Sequence, residues 1–173
     1  MLKLKVFILF LTITSIFCIN IGYADNSELP LLGKVIYIDP GHGGTDPGAI
    51  YKDIHEADIN LSISKKLYDI LLKNGAIVYL TRDGDYDLSV TNAINRKRSD
   101  LSRRANAINS SMCDMYISIH LNAESSSTWH GAQVFYDDVN PENKKIAEIM
   151  QTEFSKVLKT KREYKETNEM YLH

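Results

Sequence analysis

The sequence is poor in the residues that cross-link small exported proteins, because its 173 residues include only two cysteines, Cys18 and Cys113. Cys18 lies within an apolar amino-terminal run, so the rest of the chain has no partner for an internal disulfide. Stability must therefore come from an ordinary hydrophobic core or from a bound metal. The chain also lacks an excess of basic residues, with 20 Lys and Arg against 22 Asp and Glu. Their scattered distribution argues against a nucleic-acid partner.

The amino terminus has the organisation of an export signal. A basic start, Met1–Lys5, precedes an apolar run, Val6–Gly22, and Ala24 completes a small-residue cleavage motif. We therefore expect residues 1–24 to be a secretory signal, with an uncleaved membrane anchor as the alternative. In either case the remainder is exported, and any membrane contact is made only through an uncleaved amino terminus.

About 150 residues follow the signal, which is enough for one domain with a single core. We expect residues 25–33 to be a linker and residues 34–173 to form the domain. Helical periodicity appears in residues 59–71, in 101–108 and, after Pro141, in 146–158. Four apolar, β-rich runs predict strands at Lys34–Asp39, Ala76–Thr81, Met115–His120 and Gly131–Tyr136.

This alternation predicts an α/β fold with three layers, in which a mostly parallel twisted sheet carries helices on both faces. Residues 83–99 are polar and have no clear period, so we expect an irregular loop that borders a substrate cleft or is a surface excursion. The basic segments Arg96–Arg98 and Arg103–Arg104 predict a solvated face or contacts to an anionic substrate.

A glycine-rich loop carrying His42 follows the first predicted strand. Ligands of open α/β folds gather just beyond the carboxyl ends of the strands, so the loop places His42 at a candidate site. Taken alone, His42 is either a metal-binding or catalytic residue, or an ordinary turn or surface residue.

Glu56 opens the first predicted helix on the stripe that also carries Ile59 and Ile63, which we expect to face the sheet. A carboxylate there is costly unless something pairs with it, which favours a metal-binding role. The alternative is a capping box, with Asp53 as the N-cap and Glu56 reaching back to its amide.

His120 ends the third predicted strand, at the same rim of the sheet as His42. Together with Glu56 they give two imidazoles and one carboxylate, a set that suits a catalytic zinc ion with its fourth position left to water. The alternative is a purely structural domain with histidines in its core. The sequence contains no His-Glu-x-x-His helix, which excludes the commonest zinc peptidase pattern.

Three motifs resemble the zinc-dependent N-acetylmuramoyl-L-alanine amidases of bacterial cell walls. They are IDPGHGGTDPGA at residues 38–49, EADINL at 56–61 and SIHLNA at 118–123. Shorter motifs at residues 80–82, 101–104 and 131–136 also resemble the family, and the last is similar to its sporulation and germination branch.

The resemblance implies that His42, Glu56 and His120 are zinc ligands. It implies hydrolysis of the amide bond between N-acetylmuramic acid and L-alanine, with vegetative wall or spore cortex peptidoglycan as the substrate. A carboxypeptidase or deacetylase acting on the wall would use similar ligands with different loop motifs. The sequence identifies no protein partner.

Three further residues are expected to support this site or to contact substrate: Asp39, Arg82 and Asn122. Asp39 would steady His42 or its loop, although an aspartate that closes a turn after a strand explains it equally well. Asn122 would orient His120 or the substrate, with a turn residue as the alternative.

The sequence departs from the family pattern at its carboxyl end. The family carries a general-base glutamate in a late strand, whereas this sequence ends at His173 before such a strand. General-base assistance is typically worth about 10²- to 10⁴-fold in rate. Glu124, Glu166 and Glu169 are candidate substitutes, and Glu124 is the nearest to His120, although a loop carboxylate explains it as well.

We therefore expect an amidase domain that is truncated at its carboxyl end. The expected explanation is a fragment or prematurely stopped version of a normal amidase; the alternatives are a catalytically inactive zinc-containing protein that binds peptidoglycan, and a site completed by a partner.

Overall fold

The computed structural model describes residues 29–121 and 130–167, so the expected signal at residues 1–24 lies outside the described residues. None of the described helices is both long and apolar enough to cross a bilayer. Cys113 is a free cysteine, as expected.

The helices are α1 (Glu56–Lys73), α2 (Arg96–Ser110) and α3 (Pro141–Leu158). The strands are β1 (Val35–Pro40), β2 (Ile50–Tyr51), β3 (Ile54–His55), β4 (Ile77–Leu80), β5 (Met115–Ile119), β6 (Phe135–Tyr136) and β7 (Lys165–Glu166).

The main sheet has the strand order β4-β1-β5, and both pairings are parallel. Ile38 of the central strand lies opposite Leu80 on one side and Ile117 on the other. Parallel neighbours need crossover connections, which α1 and α2 provide. The predicted α/β fold with a mostly parallel sheet is confirmed, and three of the four predicted strands match to within one residue at each end.

The hydrophobic core lies between the sheet and α1. Ile36 and Ile38 of β1 and Val78 of β4 are buried there, and Leu67 and Leu71 of α1 pack against them. Burial of such side chains stabilises the fold by about 1.5–3 kcal/mol each.

The first turns of α1 bury polar side chains instead of the predicted apolar stripe. Glu56, Asn60 and Ser64 are buried, whereas Ile63 is 42% exposed, so the expectation that Ile63 faces the sheet is wrong. The helix begins at the carboxyl rim of the strands, where its inner face meets the candidate site. Its apolar inner face begins only a turn later, with Leu67.

Helix α2 covers the opposite face of the sheet through a polar contact, because the side chain of Asp39 points away from that of Ile38 and meets Arg104. Arg104 is only 3% exposed, so the expected solvated face is wrong for this residue. The helix starts at Arg96, where the Asn95 side chain accepts a hydrogen bond from the backbone N–H of Arg98. The predicted loop at residues 83–99 is therefore too long by four residues, because Asn95 acts as an N-cap.

The fourth predicted strand is largely wrong. Only Phe135–Tyr136 is extended in a ladder, and it pairs in parallel with Lys165–Glu166, apart from the main sheet. The Gln151 side chain of α3 accepts from the Val134 N–H and donates to the Ala132 carbonyl oxygen. A helix side chain thus takes the hydrogen bonds that a neighbouring strand would have made.

Candidate metal centre

Three side chains from separate elements converge at the carboxyl rim of the main sheet. His42 lies in the loop after β1, Glu56 is the first residue of α1, and His120 directly follows β5. The two loops are joined by a hydrogen bond from the Gly41 N–H to the Ile119 carbonyl oxygen. The parallel pairing of β1 with β5 therefore brings the two histidines to one place.

The spacing of the three side chains fits a small metal ion. His42 Nε2 and His120 Nδ1 each lie 3.2 Å from Glu56 Oε1, and one ligand atom from each residue lies within 4.8 Å of the others. Ligands about 2.0–2.2 Å from a tetrahedral zinc ion lie about 3.3 Å apart, which the two 3.2 Å distances to Glu56 approach. Among residues 29–121 and 130–167, no other group of three or more His, Cys, Asp or Glu side chains is this close.

Asp46 fixes the protonation of His42. Its Oδ2 lies 3.0 Å from His42 Nδ1, and an ionised carboxylate can only accept, so the proton stays on Nδ1. Burial is the largest influence and acts to raise the pKa of Asp46, but the hydrogen bonds to His42 and from the Gly48 N–H, together with nearby positive charge that includes Lys97, lower it below its usual value. The Nε2 atom of the same ring faces Glu56. Sequence reasoning missed Asp46; its only signal is its position four residues after His42 in the same loop.

His120 is held neutral and close to the backbone of the neighbouring loop. Partial burial and then the adjacent His42 lower the pKa of His120, so its ring carries no proton charge at pH 7. A Cβ atom at Gly41 would lie 2.2 Å from His120 Cε1, so only glycine leaves room for the ring. Both features keep an imidazole lone pair available at the rim.

Glu56 is buried but ionised. Burial acts to raise its pKa, but hydrogen bonds from the N–H groups of Ala49 and Leu121, at 2.9 and 2.8 Å, outweigh burial and lower it. The capping-box alternative is wrong, because the N-cap of α1 is His55, which makes no side-chain capping bond, and not Asp53. The carboxylate faces the rim because these loop amides hold it there.

Two buried arginines hold the loop that carries His42. The Arg104 guanidinium donates to the carbonyl oxygens of Pro40 and His42, both at 2.7 Å, and Arg82 donates to those of Pro40 and Gly41, both at 2.9 Å. His42 adopts a left-handed backbone conformation, with φ of 63°, which disfavours a residue with a side chain. The guanidiniums stabilise this strained turn by fixing three successive carbonyl groups.

Asp39 acts through Arg104 and makes no direct bond to the imidazole of His42. Asp39 Oδ1 accepts from Arg104 Nη1 at 2.8 Å, and Asp100 Oδ2 accepts from Arg104 Nε at 2.9 Å. Burial acts to lower the pKa of Arg104, but these two carboxylates raise it. Arg82 is 1% exposed and therefore lies beneath the loop, away from any substrate. Sequence reasoning missed the buried role of Arg104.

Of the remaining candidates, only Glu166 lies among the described residues. Asn122, Glu124 and Glu169 lie outside the described residues. Glu166 belongs to β7 in the separate two-stranded pair, where its carboxylate accepts from the Tyr136 hydroxyl at 3.3 Å.

Comparison with known proteins gives concordant matches over most of the chain. Residues 36–173 match the sequence profile of the family described as N-acetylmuramoyl-L-alanine amidase. The germination-specific N-acetylmuramoyl-L-alanine amidase of Bacillus subtilis (strain 168) is 43% identical over 149 residues, which cover 84% of this chain and 63% of the relative. The amidase LytC of the same organism is 34% identical over 140 residues, covering 80% of this chain and 26% of LytC. The chain thus spans less than two thirds of either relative.

Solved structures of similar fold are also amidases. The CwlD amidase from Clostridioides difficile, in complex with the GerS lipoprotein, matches with a TM-score of 0.76 and 36% identity, covering 80% of this chain and 75% of that chain. The catalytic domain of CwlV from Bacillus (Paenibacillus) polymyxa var. colistinus matches with a TM-score of 0.68 and 28% identity, covering 81% and 73%.

Proposed function

The chain belongs to the N-acetylmuramoyl-L-alanine amidase family, and we propose that it hydrolyses the amide bond between N-acetylmuramic acid and L-alanine in peptidoglycan. The convergence of His42, Glu56 and His120 at the carboxyl rim of the sheet carries this proposal. Two imidazoles and one carboxylate are a ligand set that catalytic zinc sites use while keeping one position open.

His42, Glu56 and His120 would hold the zinc ion. When bound, zinc polarises the scissile carbonyl and lowers the pKa of a bound water to about 7. The chain's own residues prepare this site before metal arrives: Asp46 keeps the proton of His42 on Nδ1, and the amides that bond to Glu56 keep its carboxylate ionised. The general base is not identified among the described residues, and Glu124 stays a candidate for it, with a loop carboxylate as the alternative.

The biological setting follows from the amino terminus and from the relatives. The basic and apolar start of the chain supports export, through a signal at residues 1–24. The 43% identity with an amidase named germination-specific supports spore cortex as the substrate. The solved complex of a similar amidase with the GerS lipoprotein supports a lipoprotein partner for this chain also.

The test of this function combines metal analysis with product analysis. The purified chain should bind close to one zinc ion and release new amino-terminal alanine from peptidoglycan, detected by labelling of amino groups. His42→Ala and His120→Ala should abolish both. His55→Ala is the matched control, because His55 is exposed and lies outside the cluster.

Spore cortex and vegetative wall are compared as substrates in the same assay. Zinc binding and wall binding without alanine release from either material would refute the activity. That result would instead identify a catalytically inactive peptidoglycan-binding protein.

A further inference from the structure

Asn60 is a fully buried polar side chain of α1, one turn after Glu56 and on the same face of the helix. Its amide nitrogen, Nδ2, donates to Glu56 Oε1 and to the Gly41 carbonyl oxygen, both at 3.3 Å. These hydrogen bonds are long, so each is weak by itself. Their importance lies in the two groups that they join.

The two acceptors of Asn60 lie where the three candidate metal ligands meet. Oε1 is the oxygen of Glu56 that lies 3.2 Å from both His42 Nε2 and His120 Nδ1. Gly41 precedes His42 in its loop, and a Cβ atom at Gly41 would lie 2.2 Å from Cε1 of His120. The Asn60 amide therefore links the carboxylate to the backbone against which both imidazoles are placed.

The other end of the same amide has no partner within the chain. Among residues 29–121 and 130–167, nothing bonds to the Asn60 carbonyl oxygen, Oδ1, or to the hydroxyl of Ser64 one turn later. A buried polar group without a partner destabilises the folded state. Rotation of the amide by 180° gives no relief, because Oδ1 would then face two acceptors.

The fold by itself does not require an amide at this position. Leu67, two turns further along the same face of α1, is apolar and packs against the core. An apolar side chain at residue 60 would fill the space without burying an unsatisfied oxygen. Local rules of folding are broken in this way mainly at functional sites.

Loss of the Asn60 amide would leave neither of its acceptors without a donor. Glu56 Oε1 also accepts from the Leu121 N–H at 2.8 Å, and the Gly41 carbonyl oxygen also accepts from Arg82 at 2.9 Å. The contribution of Asn60 is therefore the link between these two groups and not the satisfaction of either one.

We propose that Asn60 is a positioning residue of the metal centre, which holds the Glu56 carboxylate against the Gly41 carbonyl group so that Oε1 keeps its place beside both histidines. The inference rests on the proposed function, in which Glu56 and the two histidines hold zinc. Asn60 acts through Glu56 and contacts no reacting atom. The Ala49 and Leu121 amides reach the carboxylate from loops, whereas Asn60 lies on the same helix as Glu56.

The test compares Asn60→Leu with the matched control Ser64→Ala in the full chain. Both variants remove an unsatisfied buried group from one face of α1, but only Asn60 bonds to Glu56. Asn60→Leu should lower zinc affinity by about tenfold in a competition titration with a chelator. That is the low end of the range for residues that support metal ligands, because Leu121 still holds Oε1. Ser64→Ala should leave zinc affinity unchanged.

Two further measurements separate positioning from a purely structural role. The visible absorption spectrum of the cobalt-loaded chain, which reports the geometry of the ligands, should change in Asn60→Leu and stay the same in Ser64→Ala. The urea midpoint of the metal-free chain should be unchanged or higher in Asn60→Leu, because an unsatisfied oxygen is removed. Asn60→Ala, which adds no bulk beside Glu56, should lose zinc affinity by a similar factor.

Unchanged zinc affinity and an unchanged cobalt spectrum in Asn60→Leu would overturn the inference. A loss of affinity in Asn60→Leu without a loss in Asn60→Ala would also overturn it, because added bulk would then be the cause. A lower urea midpoint of metal-free Asn60→Leu would assign the amide to the fold instead.

The alanine-release assay separates these results from a failure of the amidase function. A chain whose zinc affinity depends on Asn60 but which releases no alanine keeps the positioning role and loses the activity. A chain that releases alanine and whose zinc affinity does not depend on Asn60 keeps the activity and loses the positioning role.

Discussion

Replacement of Gly41 by alanine should remove metal binding and leave the fold intact. The added Cβ would lie 2.2 Å from Cε1 and 2.3 Å from Nε2 of His120, where ordinary contact begins at 3.4 Å. The imidazole must therefore retreat by about 1.2 Å, whereas metal sites tolerate departures of only about 0.2 Å in ligand distance. Since loss of a supporting residue alone costs about 10- to 100-fold in metal affinity, loss of a ligand should cost at least 100-fold.

The fold should tolerate Gly41→Ala because the side chain of His120 can move away from the added methyl group. Its side chain is 48% exposed, so it can rotate toward solvent. The backbone at Gly41 does not have the positive φ that favours glycine. The free energy of unfolding of the metal-free chain should then fall by no more than about 1–3 kcal/mol, the usual cost of a crowded site.

The assay is a zinc competition titration with a chelator of known affinity, paired with urea unfolding of the metal-free chain. Gly84→Ala is the matched control, because its Cβ would meet only the edge of the Tyr86 ring, at 3.2 Å. If Gly41→Ala binds zinc with an affinity within threefold of that of the unmodified chain, a difference of about 0.7 kcal/mol in binding free energy, His120 is not a ligand in the geometry described.

The remaining predictions concern the support of the site and its pH dependence. Asp46→Asn should lower zinc affinity by about 10- to 100-fold in the same titration, because an amide at this position no longer holds the proton of His42 on Nδ1. Asp58→Asn, at an exposed aspartate, is the control and should leave zinc affinity unchanged. Arg104→Met should lower the free energy of unfolding, measured in urea, by about 3–5 kcal/mol, because it leaves the buried carboxylates of Asp39 and Asp100 without their cationic partner. Arg103→Met, at an exposed arginine, should change that free energy by less than about 0.5 kcal/mol. Similar losses of stability in Arg104→Met and Arg103→Met would contradict a stabilising role for the buried ion pairs of Arg104. The lowered pKa of Asp87 means that the folded chain keeps this carboxyl deprotonated to lower pH than the unfolded chain does. Its stabilisation is thus complete above about pH 5 and is lost as the pH falls below about 4. Asp87→Asn should flatten the dependence of stability on pH across that window, and an unchanged slope would refute the assignment.

Three of the four strands and the convergence of the candidate metal ligands were predictable from sequence because their signals are local. Val35–Pro40 and Met115–Ile119 are continuous apolar runs, and parallel strands bring their carboxyl ends to one rim. A histidine after each run therefore predicts a shared site without knowledge of any contact.

The supporting residues were not predictable in the same way, because their burial depends on partners far away in sequence. Arg104 looks like one more basic residue of a polar helix, yet its guanidinium meets the His42 carbonyl 62 positions earlier. Its charge is tolerated only because Asp39 and Asp100 meet it. The residues around Phe135 have a strand-like composition, but Gln151 takes the hydrogen bonds that a sheet would have supplied.

The pairing of β1 with β5 would make a metal ion held by His42, Glu56 and His120 a selective ligand for the correctly assembled chain. In the observed register Ile38 lies opposite Ile117 and Pro40 opposite Ile119. A slip by one residue would exchange the two faces of the strand and shift His120 by about 3.3 Å, out of reach of Glu56. Only the native pairing then gains binding energy, about 2.7 kcal/mol when free zinc is at 100 times its Kd. The supply of metal would thereby set how much of the chain persists in its native pairing.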